Sequence, residues 1–141
     1  MIKLIWVGRT KERFLQEGVA SFARRMERFS SLKVVEVKDS NVEEEGERIL
    51  KALGDDHAVV LDVKGRELSS EEFSSFIKKN SDKNIAFVLG GAEGLSPDVK
   101  ERADFLLSLS KMTYTHEMAR LILLEQIYRS YTIIKGICYH K

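Results

Sequence analysis

Two stretches of this chain carry residue types able to do chemistry. The first is Ile85 to Leu95, IAFVLGGAEGL, where an apolar run stops at Gly90-Gly91 and Gly94 follows. Paired glycines leave no side chain to hold a ligand away from the backbone. Ser96-Pro97-Asp98 then reads as a helix start, with Ser as N-cap and Pro in the first turn. A strand that ends in a glycine loop before a helix is where open α/β sheets bind ligands. A tight turn uses the same residues, so this stretch alone leaves both readings open. The second stretch is His116 to Arg129. His116 and Arg120 are four apart and share a helix face that falls within an apolar stripe. An arginine there is paired, binds something, or snorkels to solvent. Glu125 and Arg129 make an i,i+4 ion pair, which a plain helix surface would also carry.

The elements that must position these groups alternate along the chain. Ile2–Val7 reads as a strand ending at Gly8, and Lys11–Phe29 as a helix with Leu15, Val19, Phe22, Met26 and Phe29 on one face. Arg13, Glu17, Arg24 and Arg28 fall on the opposite side, as phosphate contacts or as a solvated face. Lys33–Val37 alternates as a second strand. Asn41 or Ser40 caps a helix from Val42 to Leu53, which Gly54 closes. His57–Val63 is a third strand, and Lys64-Gly65-Arg66 is read as a turn. Ser69 with Glu72 forms a capping box for a helix through Lys79. The glycine-bearing strand comes fourth, its helix runs to about Ala103, and Phe105–Leu109 is the fifth. This alternation predicts an α/β fold, a mainly parallel sheet with helices on both faces. The final helix, Thr115 to Ile134, is apolar nearly all round, so it must be covered nearly all round. A partner subunit or burial within the monomer would each supply that cover.

The composition narrows the class. The chain has 141 residues, 43% of them hydrophobic, with a single proline. These totals predict one compact domain over residues 1–141. The single cysteine, Cys138, predicts neither an internal disulfide nor a metal cluster. No apolar run approaches the roughly 20 residues of a membrane span. The segment MIKLIWVGRTKERF lacks the pattern of a signal peptide. The expectation is a cytoplasmic protein that binds no metal and no membrane. The net charge of +1 hides an asymmetry. Residues 1–40 hold nine Lys/Arg against five Asp/Glu, residues 41–104 nine against fifteen, and residues 105–141 five against two. If the basic ends meet in space they form one positive surface for a polyanion. Separate solvated faces are the alternative.

Taken together the chain resembles the RlmH family, the pseudouridine N3-methyltransferases of large-subunit ribosomal RNA within the SPOUT superfamily. The resemblance runs over nearly the whole length. It is carried by Val60-Leu61-Asp62, by Leu89-Gly90-Gly91-Ala92-Glu93-Gly94-Leu95-Ser96, by Leu107-Ser108-Leu109-Ser110, and by His116 through Tyr128-Arg129 to the tail Tyr139-His140-Lys141. Where the family often has proline after the paired glycines, this chain has Ala92. The resemblance implies a SPOUT-type sheet with a C-terminal deep trefoil knot, a rarity among folds. It implies a homodimer through the C-terminal helix. It also implies S-adenosyl-L-methionine as methyl donor, held by Leu61, Gly90, Leu109, Ser110, Lys111, Met112, Thr113 and Tyr114. Such a reaction must align the target nitrogen and remove its proton. His140 and Arg120 are the implied groups for stabilising the resulting charge, with Glu125 for holding or accepting a proton and Tyr139 for stacking on the base. The implied substrate is 23S rRNA within the large subunit or the assembled ribosome. A SPOUT enzyme for transfer RNA or another RNA base, a non-catalytic RNA- or nucleotide-binding module, and a flavodoxin-like phosphate binder are the competing readings.

Overall fold

The computed structural model describes residues 1–140, so Lys141 of the tail lies outside the described residues. Five strands form one sheet, β1 (Ile2–Val7), β2 (Leu32–Val37), β3 (His57–Glu67), β4 (Ile85–Leu89) and β5 (Phe105–Ser108). Their spatial order is β2-β1-β4-β3-β5, and every pairing is parallel. Five helices cover it, α1 (Arg13–Met26), α2 (Val42–Leu53), α3 (Ser70–Lys79), α4 (Pro97–Arg102) and α5 (His116–Lys135). The expected α/β architecture with helices on both faces is therefore present.

Strand pleating divides the core. Ile2, Leu4, Trp6, Val59, Phe87 and Leu107 point to the face carrying α1, α3 and α5. Ile5, Val7, Ala58, Val60, Ala86 and Val88 point to the face carrying α2 and α4. Alternate residues of one strand thus feed two cores, as period-2 geometry requires, and a strand buried on both faces reads as a continuous apolar run. Helix starts follow local chemistry. Asn41 accepts from the Glu44 N–H at 2.8 Å, Ser69 and Glu72 form the reciprocal capping box, and Thr115 accepts from the Met118 N–H at 3.2 Å. Gly136 ends α5 in the left-handed conformation at φ 68°.

Two boundaries differ from the sequence reading. The first helix is shorter, from Arg13, because residues 8–12 serve other bonds described below. Lys64-Gly65-Arg66 does not end the third strand. Leu61 and Arg66 both pair with Leu107 of β5, so residues 62–65 bulge outward and the strand then resumes. Asp62 Oδ1 accepts from the Lys64 N–H at 3.0 Å and shapes this bulge.

The last helix is covered in part within the chain. It lies against α1 and α3 across the sheet, and from His116 to Ile134 no residue is fully exposed. Leu123, Leu124, Ile127 and Tyr128 enter the core. Met118, Ile122 and Ile133 remain half-buried on the outer side. The basic ends of the chain do meet, since the Arg25 guanidinium stands 5.8 Å from the ring centroid of Tyr128.

Candidate functional site

A cavity of about 620 Å³ opens at the C-terminal ends of β3, β4 and β5. That lies inside the roughly 300–1,000 Å³ range of small-molecule sites. Its walls come from the β3 bulge, the glycine loop, the segment after β5, and the first turn of α5. Of the residues expected to hold a cofactor, Leu61, Gly90, Leu109, Ser110, Met112, Thr113 and Tyr114 line it; Lys111 stands among them in sequence but not on the lining. Asp62, Lys100 and His116 also line it and were not singled out as ligands from sequence. Sequence spacing gives little notice of them, because a bulge and a separate helix bring them in.

The glycine loop is closed by an antiparallel bridge between Gly91 and Gly94. A Cβ on Gly90 would stand 3.0 Å from the Gly94 carbonyl carbon and from Leu95 Cγ, so side chains are excluded on its inner side. Opposite, Met112 is 76% exposed and flanks the mouth. Asp62 is mostly buried and faces Lys100, whose Nζ lies 3.6 Å away. The cavity therefore offers leucine and methionine walls, bare backbone, and one adjacent anion and cation.

The four expected catalytic residues occupy two other places, and none lines this cavity. Arg120 is fully buried. Its Nη2 donates to the Val7 carbonyl at 2.6 Å and its Nη1 to Thr10 Oγ1 at 2.9 Å. Its guanidinium carbon stands 4.9 Å from the Trp6 ring centroid, while Nε has no partner. Burial pulls its pKa below the usual arginine value, against the opposing pull of Glu117, Glu36 and Asp39. Next to it, Glu117 Oε1 accepts from the backbone N–H of Lys11 at 2.8 Å and of Glu12 at 3.2 Å. These bonds fasten residues 7–12 to the start of α5.

Glu125, Tyr139 and His140 do come together. The Tyr139 hydroxyl donates to Glu125 Oε2 at 2.7 Å, and Arg129 Nη2 donates to the same oxygen at 2.6 Å. Arg129 also lies 4.9 Å from the Tyr139 ring centroid. Its Nη1 approaches His140 Nδ1 at 3.0 Å, and His140 Nε2 approaches Glu71 Oε1 at 2.7 Å. An arginine donor at Nδ1 places the imidazole proton on Nε2, toward Glu71. Burial raises the Tyr139 pKa, and its bond to Glu125 raises it further. The bond to Glu125 raises that of Arg129.

Glu117 gives the first measurable consequence. Burial pushes its pKa up, but the Glu12 and Lys11 N–H groups, Arg120 and His116 outweigh that and hold it below the ordinary value. A depressed carboxylate contributes stability that is complete above its unfolded pKa and is lost as pH falls through the folded one. Urea midpoints measured from about pH 6 down to about pH 3 should fall less steeply in Glu117→Gln than in wild type. Parallel curves would show that the carboxylate charge is not what those N–H groups hold.

With the geometry in hand, the relatives become informative. A family model described as "Predicted SPOUT methyltransferase" matches residues 1–140. The chain belongs to the SPOUT methyltransferase family. Among its relatives, "Ribosomal RNA large subunit methyltransferase H" of Carboxydothermus hydrogenoformans is 45% identical over 99% of both chains. The protein of the same name from Caldicellulosiruptor saccharolyticus is 42% identical over the full length of both. Among solved structures, a probable methylase family protein from Haemophilus influenzae superposes with TM-score 0.63 at 15% identity, over 99% of this chain and 70% of that one. That last likeness speaks for the fold alone. Among the described residues, no group of three or more His, Cys, Asp or Glu could hold a metal ion, and no helix is long and apolar enough to cross a membrane.

Proposed function

We propose that this chain transfers a methyl group from S-adenosyl-L-methionine to N3 of a pseudouridine in 23S rRNA. The observation that carries the reading is the cavity at the ends of β3, β4 and β5, in a chain whose full-length relatives are named large-subunit rRNA methyltransferases. Its residues fit the donor. Leu61, Leu109 and Met112 provide apolar walls for a flat base, and Gly90 admits close backbone approach. The Asp62 and Lys100 pair suits a tail that carries both an ammonium and a carboxylate. When bound, the donor supplies an electrophilic methyl group on a positively charged sulfur. The chain's own task is to orient the target base beside that carbon and to accommodate the charge left when N3 loses its proton.

The reading includes a single domain over residues 1–141, a trefoil knot formed where the segments after β3, β4 and β5 meet α5, and action in the cytoplasm. It also includes a homodimer through α5. The half-buried Met118, Ile122 and Ile133 supply an apolar outer stripe for that contact. In such a pair, Tyr139, His140 and Glu125 of one subunit complete the cavity of the other. Tyr139 stacks on the base, His140 exchanges its bond to Glu71 for the base and so stabilises developing negative charge, and Glu125 holds the tyrosine hydroxyl. Arg120 acts in this scheme by holding residues 7–10 in place, through its bonds to the Val7 carbonyl and Thr10 Oγ1.

Two measurements test the reading. Nucleosides from 23S rRNA of a deletion strain should lack N3-methylated pseudouridine, and its persistence would reassign the substrate. Calorimetry should register binding of S-adenosyl-L-methionine, and no heat would point to a non-catalytic module. The RNA surface is tested separately. Arg24, Arg25 and Arg28 lie on or just after α1, with Arg25 over Phe22 and Arg28 over Phe29. Replacing all three with alanine should weaken RNA binding and reduce its salt slope by up to about 3, near one for each phosphate left unneutralised. An unchanged slope would remove that surface from the account.

A further inference from the structure

We propose that His116 is the proton acceptor of the transfer, an assignment that rests on the function proposed above. Of the three histidines, His116 alone lines the cavity. His57 sits at the opposite end of β3, where Nδ1 lies 3.7 Å from Asp104. His140 has both ring nitrogens engaged, by Arg129 and Glu71. His116 has a side chain 35% exposed and opens α5, so a packed helix fixes its backbone while its ring stays accessible.

A second observation places a carboxylate beside the ring. Glu117 Oε2 stands 3.9 Å from His116 Nε2, while Oε1 of the same carboxylate is fixed by the Lys11 and Glu12 N–H groups. A buried carboxylate held by two backbone donors keeps its charge and its direction. An imidazolium beside it is stabilised at the moment it forms. The other charged or titratable groups that line the same cavity are Asp62 on β3, Lys100 on α4 and Tyr114 in the segment before α5, and Arg120 stands one turn further along α5. Asp62 is turned toward Lys100 and the Lys64 N–H, and Lys100 is a cation. Imidazole is the side chain that ordinarily exchanges a proton near neutrality.

In this step the N3–H proton passes to the neutral imidazole, and its bonding pair stays on the imide. N3 then forms a bond to the methyl carbon as the carbon–sulfur bond breaks, with that pair going to sulfur. The imidazolium returns its proton to solvent. No metal or redox partner enters the balance.

The test uses full-length protein and ribosomal particles from a strain lacking the modification. His116→Gln keeps hydrogen-bonding capacity and cannot take up a proton. It should bind S-adenosyl-L-methionine within about threefold of wild type, well under the 1.4 kcal/mol of a tenfold change. Its KM for particles should be unchanged, its kcat should fall by about 10² or more, and the acid limb of its kcat–pH profile should disappear. In His116→Ala, added imidazole should restore turnover, which a purely structural histidine would not allow. His116→Gln with near-normal kcat and an intact acid limb overturns the assignment, as does loss of donor binding or failure of imidazole to rescue. Wild type that binds the donor yet methylates no particle overturns the parent function, and this assignment falls with it.

Discussion

Arg120→Ala is expected to lower the unfolding free energy by about 3–5 kcal/mol, the range for breaking one side of a buried charged network. The loss has three sources. The Val7 carbonyl and Thr10 hydroxyl lose the donors at 2.6 and 2.9 Å. Glu117, still buried, loses a positive charge that helps to hold its pKa down. A cavity opens beside Trp6, whose ring the guanidinium faces at 4.9 Å. Arg120→Met fills the space and leaves the carbonyl orphaned, so it should fall between wild type and alanine. Chemical denaturation with each variant checks the order. An alanine variant within about 1 kcal/mol of wild type would show that water replaces the lost bonds. The same substitution is the test of role: in a group that only positions residues 7–10, turnover per folded molecule should fall less than stability does.

Gly65→Ala is expected to affect stability and donor binding together. A Cβ there would lie 2.8 Å from the Leu106 carbonyl carbon and oxygen and from the Leu107 carbonyl carbon. Those are backbone atoms of an edge strand, so relief requires β5 to move or the bulge to open. Overpacking of this kind costs about 1–3 kcal/mol. Leu61 precedes the bulge, Asp62 opens it and Leu107 is part of the contact, and all three line the cavity. A shift there should weaken S-adenosyl-L-methionine binding by about tenfold, or 1.4 kcal/mol. Lys64→Ala, an exposed neighbour, should change neither quantity. Normal donor affinity in Gly65→Ala would separate the bulge from the site.

Much of this architecture is readable from residue order because it is local. Ser69 with Glu72, Asn41 with Glu44, and Ser96-Pro97 each specify a helix start within four residues. The apolar runs at Val59-Val60 and Ile85–Leu89 specify strands buried on both faces. The family resemblance leads one to expect a ligand at the glycine loop and the segment after β5, and both segments line a cavity. What stayed hidden depends on long-range meetings. Lys64-Gly65-Arg66 has turn composition, yet pairing with Leu107 overrides it. Arg120 looks like a reactive cation in sequence, and only the fold reveals that its two terminal nitrogens are bonded to the other end of the chain. His116 was visible as Arg120's neighbour on one helix face, but its place on the cavity wall depends on where strands from three separate segments end.

The bonds from α5 to residues 7–12 span more than a hundred positions of sequence. During synthesis, therefore, Trp6 and the edge of β1 wait uncovered until α5 has been translated and has emerged from the exit tunnel. A nascent chain halted before His116 would leave part of one sheet face uncovered between α1 and α3, and such a fragment is a substrate for chaperones and proteases. Loops closed over such distances also fold slowly. Incomplete translation products of this protein should thus be removed rather than accumulate as half-working enzymes.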